Sequence, residues 1–145
     1  MPVLSRSVNT GTGPFAALWR EYAIADKRWG LSDPTVVSIE LITVFGAGPL
    51  CLYVCWLMSK QDRAREYWMV VLCTAEIYGG WLTFAPEWLT GSHNLRTDNW
   101  LYCWVYLAFF NGLWVAVPLW LLWDSWTKIS VALRSTSESS LKKSQ

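Results

Sequence analysis

Apolar and polar positions divide the chain into one amphipathic segment followed by three long apolar segments. From Phe15 to Trp29, large apolar residues recur at spacings of three and four, and charged residues take most of the other positions. This pattern predicts a short amphipathic helix that lies along a membrane surface. Ser32, Asp33 and Pro34 follow, and they are typical of a helix cap with a proline in the first turn.

The three apolar segments are each candidates to cross a bilayer. They are Thr35–Met58 (24 residues, with Glu40 as its only charge), Tyr67–Phe84 (18 residues, with Glu76 alone) and Trp100–Trp123 (24 residues, uncharged). A spanning helix needs about 20 mainly apolar residues. A soluble helical core would leave a polar stripe on each helix, which the third segment lacks. We therefore predict an all-α integral membrane protein with three transmembrane helices and one short interfacial amphipathic helix.

The domain organisation follows from these segments. Residues 1–14 are rich in Ser, Thr, Gly and Pro and have no apolar signal-peptide core, so we expect a disordered N-terminus. The membrane domain is predicted over 15–126, with spans at about 35–58, 67–84 and 100–123. Residues 127–145 are predicted to form a polar cytosolic tail.

The distribution of basic residues predicts an orientation in the membrane. With three spans, the loop Ser59–Glu66 and the C-terminal tail share one side, and they hold seven of the twelve Lys and Arg residues. The positive-inside rule therefore favours a cytosolic C-terminus. The last four residues, Lys142 to Gln145, resemble the dilysine signal that retrieves proteins to the endoplasmic reticulum. We expect a multi-pass protein of that membrane.

Composition excludes several other classes of protein. A net charge of +1 provides no basic face for nucleic acid. The four cysteines lie in apolar segments and fit neither a metal-binding pattern nor a disulfide framework, so we expect buried thiols and no metal or other cofactor. Twelve tryptophans are many for 145 residues, and tryptophan collects at membrane interfaces and in aromatic pockets.

Two carboxyl residues and one side-chain amide lie inside the apolar segments: Glu40, Glu76 and Asn111. A carboxylate inside a membrane is costly unless it is protonated, paired or hydrated, so its default interpretation is functional. The alternative is that these groups bond to one another and hold the helices together. For Asn111 alone this alternative is as plausible as a function, because buried amides do join helices.

Helical spacing groups these residues with others. Glu40 shares a helix face with Thr43, and a stripe at steps of three and four comprises Trp104, Ala108, Asn111, Trp114 and Pro118. Desolvation favours the neutral form of a carboxyl, so one carboxyl can act as an acid and another as a base. Indole faces stabilise cations. Together these groups suit a lipid that is protonated, held as a carbocation and deprotonated, as when a carbon–carbon double bond moves.

Four stretches carry a resemblance to a known family: "LWREYAIADKRW", "ELITVFGAGPL", "EIYGG" and "LYCWVYLAFFNGLWVAVP". Over Leu18–Asp124 the chain resembles the emopamil-binding protein family of sterol Δ8–Δ7 isomerases, whose EXPERA domain also occurs in sigma-type receptor proteins. The last stretch is the most specific. The resemblance implies an EXPERA-type helical bundle that binds a sterol or related terpenoid lipid.

The resemblance also implies roles for individual residues. Glu40 corresponds to a catalytic acid and Thr43 to its polar neighbour, while Asn111 and Trp114 correspond to a pocket amide and a cation-stabilising indole. We add Glu76 as a further catalytic candidate, because it stands where the family has glutamine, and we count Asn111 with Glu40 and Glu76 as the predicted catalytic residues. Two aromatic positions complete the predicted substrate-binding residues: a tyrosine of the "EIYGG" stretch, which we assign to position 77, and Trp104.

One family feature is not found in this sequence. The family has one or two further helices before the "W-x-E-Y-A" stretch, with a His-x-x-x-Glu pair that takes part in proton transfer, whereas the only histidine here is His93. Three alternatives therefore stand: a sterol double-bond isomerase, an isomerase or cyclase of another terpenoid or meroterpenoid, or a non-catalytic sterol-binding membrane protein. With so few helices to enclose a sterol, a homodimer is a further expectation.

Overall fold

A computed structural model describes residues 10–31 and 33–143, and every regular element in these ranges is helical. The elements are α1 (Pro14–Ala25), α2 (Arg28–Leu31), α3 (Pro34–Ile42), the π-helix π1 (Thr43–Ala47), α4 (Gly48–Ser59), α5 (Ala64–Leu89), the π-helix π2 (Leu101–Phe110) and α6 (Asn111–Lys143). The disordered N-terminus predicted over 1–14 falls mainly on residues 1–9, which lie outside the described residues, as does Ser32 of the predicted cap.

These elements build three helices that are long and apolar enough to cross a membrane. Span 1 is Pro34–Ser59, span 2 is Ala64–Leu89, and span 3 runs over Leu101–Glu138 within a helix that continues to Lys143. The predicted all-α membrane fold with three spanning helices is confirmed. Each helix extends beyond its predicted apolar segment, because backbone hydrogen bonding continues a helix into flanking polar residues. The predicted polar tail from residue 127 is therefore helical up to Lys143.

The amphipathic segment is interrupted, in contrast to the single helix predicted over Phe15–Trp29. α1 ends at Ala25 because the backbone of Asp26 is extended (φ −133°, ψ 105°). Asp26 forms an isolated antiparallel bridge with Leu95 in the loop between spans 2 and 3. α2 then begins at Arg28. The segment is therefore fastened to the end of the helical bundle instead of continuing as one surface helix.

Local sequence explains how span 1 begins and why it widens. Asp33 caps α3, since its Oδ1 accepts hydrogen bonds from the backbone N–H of Thr35 at 2.9 Å and of Val36 at 3.3 Å. Further along, Pro49 has no N–H and its ring would collide with a carbonyl one turn back. The π1 turn precedes this proline, and the N–H of Gly48 bonds to the carbonyl of Thr43 across it.

Span 2 is the central helix of the bundle. It packs along α6 for much of its length and against span 1 on another side. Gly79 of span 2 lies opposite Ile39 of span 1, where an added Cβ would come within 4.0 Å of the isoleucine side chain. Few side chains are buried, and many large aromatic residues on all three spans are exposed. In a membrane these residues face lipid or another polypeptide.

Candidate functional site

Asn111 lies at the junction of π2 and α6, and it is hydrogen-bonded to the amphipathic segment. Its Nδ2 donates to the backbone carbonyls of Leu107 at 2.9 Å and of Tyr106 at 3.0 Å, and it lies 3.1 Å from the hydroxyl oxygen of Tyr22. The bond to Tyr106 reaches back five residues, which the wide π turn permits. Asn111 therefore joins α1 to span 3.

The orientation of the Asn111 amide follows from these contacts. Two backbone carbonyls face the NH₂ group, and turning the amide over would set its oxygen against both of them. Oδ1 is then left with only a long contact, 3.5 Å from the hydroxyl of Tyr22. Among the described residues Oδ1 has no shorter hydrogen bond. It is available to accept one from a ligand hydroxyl.

Tyr22 lies among aromatic rings. Its ring meets Trp29 edge-on at 5.4 Å between centroids and Tyr106 at 6.3 Å. Burial raises the pKa of the Tyr22 phenol above its ordinary value, and the charge of Asp26 adds to this, against an opposing effect of the Asn111 hydrogen bond. The phenol is therefore neutral at physiological pH. The neighbouring Nε1 of Trp29 is buried and has no acceptor among the described residues.

A group of four polar residues, three of them buried, holds this segment in place, and we call it the anchor cluster: Asp26, Arg28, Glu87 and the partly exposed Asn94. Arg28 binds Asp26 in a fork, with Nε 3.0 Å from Oδ1 and Nη2 2.7 Å from Oδ2. Its Nη1 donates to the carbonyl of Thr83 at 2.6 Å. Arg28 and Glu87 are each 4% exposed and Asp26 is fully buried. Bidentate geometry and burial make this a strong ion pair.

Glu87 completes the anchor cluster from span 2. Its Oε1 lies 3.6 Å from Nε of Arg28 and accepts a hydrogen bond from Nδ2 of Asn94 at 2.7 Å. Burial alone would lower the pKa of Arg28, but the hydrogen bond and charge of Asp26, with the charge of Glu87, outweigh burial and raise it. The guanidinium stays charged. The cluster ties α2, the end of span 2 and the following loop together.

The anchor cluster was not predicted from the sequence. Charged residues in the segment 15–29 fit the polar face of a surface helix, and Arg28 was expected there. The structure buries it instead. The sequence gives one local indication of this ion pair, because Arg28 follows Asp26 by two residues. Such residues point to opposite sides of an α-helix, so they can pair only if the helix breaks between them.

The acidic candidates lie on spans 1 and 2, which pack against each other. Glu40 and Glu76 are partly exposed, Thr43 is exposed, and none of the three side chains has a hydrogen-bond or ion-pair partner among the described residues. Because the two helices are antiparallel and Gly79 lies opposite Ile39, Glu76 lies at about the depth of Thr43. The structure thus brings these three residues to one level of the bundle. It does not link either carboxyl to Asn111 by a hydrogen bond.

The substrate-binding tyrosine predicted at position 77 requires a correction. That position is Ile77, and the tyrosine of the "EIYGG" stretch is the next residue, Tyr78. The two side chains are not equivalent, because neighbours on an α-helix point about 100° apart. Ile77 is partly buried, whereas Tyr78 is exposed. The assignment to position 77 is therefore wrong, and Tyr78 takes its place as the aromatic candidate on span 2.

The aromatic candidates point outward. Tyr78, Trp104 and Trp114 are each about 60% exposed. In a membrane, side chains in such positions meet lipid or a further polypeptide. These three aromatic candidates are therefore not enclosed by the described residues.

Among the described residues, neither the cavities nor the clusters of acidic groups indicate a second candidate site for catalysis or metal binding. Two cavities lie elsewhere, one beside Ala23 and Arg96 and one beside Arg63 and Lys128. No three His, Cys, Asp or Glu side chains within the described ranges come together as a metal site requires. The polar groups inside the spans thus remain the candidates for chemistry.

The fold and these polar groups define an all-α multi-pass membrane protein with carboxyl and amide groups inside its spans. A family model for EXPERA (EXPanded EBP superfamily) matches residues 14–125, which is most of the chain. The chain belongs to this family, as the sequence motifs predicted.

Individual relatives carry names of two kinds. A 3β-hydroxysteroid-Δ8,Δ7-isomerase of Cavia porcellus is 34% identical over 108 residues, which are 74% of this chain and 47% of that protein. A protoglabretal synthase of Citrus sinensis is 26% identical over 128 residues, 88% of this chain and 60% of that protein. An isomeliandiol synthase of Melia azedarach is 28% identical over 115 residues, 79% and 53% respectively. The chain spans about half the length of the curated relatives it matches.

Proposed function

We propose that this chain carries catalytic residues of a membrane-embedded isomerase that moves a carbon–carbon double bond in a sterol-like lipid. The observation that carries the proposal is Glu40, a carboxyl inside span 1 with no hydrogen-bond or ion-pair partner among the described residues. An unpaired carboxyl inside a membrane lowers the stability of the fold. Its presence therefore indicates a function. Relatives named as 3β-hydroxysteroid-Δ8,Δ7-isomerases support the choice of reaction.

The reaction needs one proton in and one proton out. A carboxylic acid donates its proton to one alkene carbon, forming a C–H bond and leaving a cation on the other carbon. A base then removes a proton from the carbon next to the cation, and that C–H electron pair forms the shifted double bond. The composition of the lipid is unchanged. We assign the two proton-transfer roles to Glu40 and Glu76, which lie at about one depth on facing helices.

The remaining candidates have supporting roles in this proposal. The indole of Trp114 faces the cation, a contact worth about 2 kcal/mol or more once water is excluded. Asn111 presents its Oδ1 to a substrate hydroxyl while Tyr22 holds the amide in place. Thr43, Tyr78 and Trp104 contact the body of the lipid. A further segment of polypeptide, or a second copy of the chain, encloses the surface that these residues now leave open.

The test is incorporation of solvent deuterium into the product alkene. Glu40→Gln keeps size and polarity but removes the titratable proton, so turnover is expected to fall by about 100-fold or more while ligand binding is retained. Glu138→Gln is the matched control, since Glu138 is exposed on α6 and should leave turnover unchanged. Deuterium incorporation at the wild-type rate in Glu40→Gln would show that Glu40 is structural.

A second candidate is an isomerase or synthase acting on another polycyclic terpenoid. The specific observation is Glu76, which places a second carboxyl on span 2 where the family pattern has glutamine, and the relatives named as protoglabretal and isomeliandiol synthases support it. Because both candidates use Glu76, the substrate separates them. The first candidate should shift the double bond of a Δ8 sterol, whereas the second should leave that sterol unchanged and convert another polycyclic terpenoid.

The third alternative is a non-catalytic sterol-binding protein. It is favoured by the exposure of Trp104 and Trp114, which leaves no enclosed reaction site among the described residues. This alternative predicts sterol binding without solvent-deuterium exchange in the wild-type protein. The exchange experiment therefore distinguishes it from both enzymatic candidates.

We further propose residence in the endoplasmic reticulum membrane with a cytosolic C-terminus, and association into a homodimer. The excess of Lys and Arg near Ser59–Glu66 and after span 3 supports the orientation. The exposed aromatic residues of the spans support association. Protease access to a C-terminal tag in sealed microsomes tests the orientation, and native mass spectrometry in mild detergent tests the dimer. A protected tag, or a monomer that retains full activity, would overturn the respective proposal.

A further inference from the structure

A groove of about 570 Å³ lies between the start of span 2 and the extension of α6, at the opposite end of the bundle from the anchor cluster. Span 2 contributes Arg65 and Glu66 to its wall, and Arg63 directly precedes that span. α6 contributes Thr127 and Lys128, followed by an apolar group of Ile129, Val131 and Ala132. The groove therefore has a charged part, with three cations and one carboxylate, and an apolar part lined by aliphatic side chains.

The groove lies at the level of lipid headgroups. Lys128 is 27 residues after Leu101, a distance of about 40 Å along a helix, which matches the full thickness of a bilayer including its polar regions. Exposed aromatic residues near this end form an interfacial belt, as tryptophan and tyrosine do at membrane surfaces: Trp56, Tyr67, Trp123 and Trp126. Charged side chains just beyond such a belt meet phosphate groups.

The cations of the groove differ in how far they are already neutralised. Arg65 bonds to Oε1 of Glu66 at 2.9 Å, and the other oxygen of Glu66 accepts a hydrogen bond from Ser125 at 3.1 Å. Lys128 bonds to Asp124 and lies 3.6 Å from Glu66, yet it remains half exposed with further N–H donors. Arg63 is exposed, and its guanidinium has no ion-pair or hydrogen-bond partner among the described residues.

We propose that this groove binds the headgroup of an anionic phospholipid, with the phosphate between Arg63 and Lys128 and an acyl chain along Ile129 and Ala132. An arginine fork suits a phosphate, and basic pockets between transmembrane helices bind anionic headgroups. The occupant is a membrane lipid and not a free phosphate, because the groove continues into an apolar surface that inorganic phosphate cannot use. This inference rests on the membrane fold and is independent of the proposed isomerase activity.

The experiment measures lipid retention by the full chain. The protein is reconstituted in nanodiscs of phosphatidylcholine with or without one fifth phosphatidylserine, extracted in mild detergent and weighed by native mass spectrometry. We expect retained phosphatidylserine in preference to phosphatidylcholine. Arg63→Gln with Lys128→Gln should reduce its apparent affinity by on the order of tenfold, since each basic residue near an anionic surface contributes a few-fold.

The controls separate the groove from general surface charge. Lys60→Gln with Arg134→Gln removes the same net charge at the same end without touching the groove, so it should leave retention nearly unchanged. Ala132→Phe fills the apolar part without altering charge and should also reduce retention. Equal loss in both double variants, or no preference for phosphatidylserine, would overturn the proposal. Displacement of the lipid by millimolar inorganic phosphate would do the same, because it would identify a phosphate site.

Discussion

The two ends of the bundle each carry a group of charged residues, and the two groups differ in burial. In the anchor cluster, Arg28 and Asp26 form a buried fork. At the opposite end, Lys128 and Asp124 are paired one helical turn apart, and both are nearly half exposed. A buried pair cannot be opened without leaving a charge in an apolar environment, whereas an exposed pair can exchange its partner for a ligand or water. The first end is therefore suited to holding structure and the second to binding.

The largest expected effect comes from breaking the buried fork. Arg28→Met leaves Asp26 and Glu87 without their cation, and we expect a loss of about 3–5 kcal/mol in the free energy of unfolding. Chemical denaturation in mild detergent micelles measures this loss. Lys128→Met is the control at the other end, where the loss should be much smaller, because exposed ion pairs contribute little to stability. Similar losses in both variants would contradict the comparison.

A smaller effect is expected from the span 2 partner of the same cluster. Glu87→Gln preserves shape but removes the charged acceptor of the Asn94 amide, so the free energy of unfolding should fall by about 1.5–3 kcal/mol. Hydrogen exchange in the loop around Leu95 should accelerate at the same time, because this loop is held through Asn94. Glu138→Gln, an exposed change of the same kind, should alter neither measurement.

The next effect concerns the link between the anchored segment and span 3. Tyr22→Phe removes the hydroxyl that contacts Asn111, and we expect a loss of about 1 kcal/mol in unfolding free energy. Tyr67→Phe is a matched control, since Tyr67 is exposed and its hydroxyl has no hydrogen-bond partner among the described residues. A loss as small as that of the control would show that the contact is too weak to position α1.

The smallest effect is expected from the exposed pair. Asp124→Asn should reduce unfolding free energy by no more than about 0.5 kcal/mol, the usual value for a helical pair at this spacing. Salt should abolish this difference, because exposed charges are screened. The effect of Arg28→Met should persist at the same salt concentration. If salt left the effect of Asp124→Asn unchanged, solvent would not screen the Lys128–Asp124 pair, and this result would contradict its exposure.

Sequence patterns predicted the spans but not the contacts that orient them. Long apolar runs determine where a helix can cross a membrane, and this property needs no knowledge of neighbours. The anchor cluster was missed because Arg28 and Glu87 are 59 positions apart and each looks like an ordinary surface charge. Contacts of this separation depend on the arrangement of helices, which periodicity does not specify.

The candidate site shows the same division. Glu40, Glu76 and Asn111 stood out because polar residues are rare in apolar runs, and their catalytic roles stay predictions. Tyr22 was not singled out as the partner of Asn111, from which it is separated by 89 positions. Tyr22 counts as an apolar residue in the pattern of the amphipathic helix, so the pattern gives no indication that its hydroxyl forms a hydrogen bond.

The π2 segment also sets the angular phase of span 3. In a π turn the hydrogen bond reaches back five residues in place of four, so each such turn rotates everything after it by about one residue, or roughly 100°, relative to an α-helix. Deleting one residue within Leu101–Phe110 would turn the Asn111 side chain away from Tyr22. It would also turn Trp114 toward a different neighbour, although the side chains of the site would all still be present. The identity of the site residues and the direction in which they point can therefore change independently of each other.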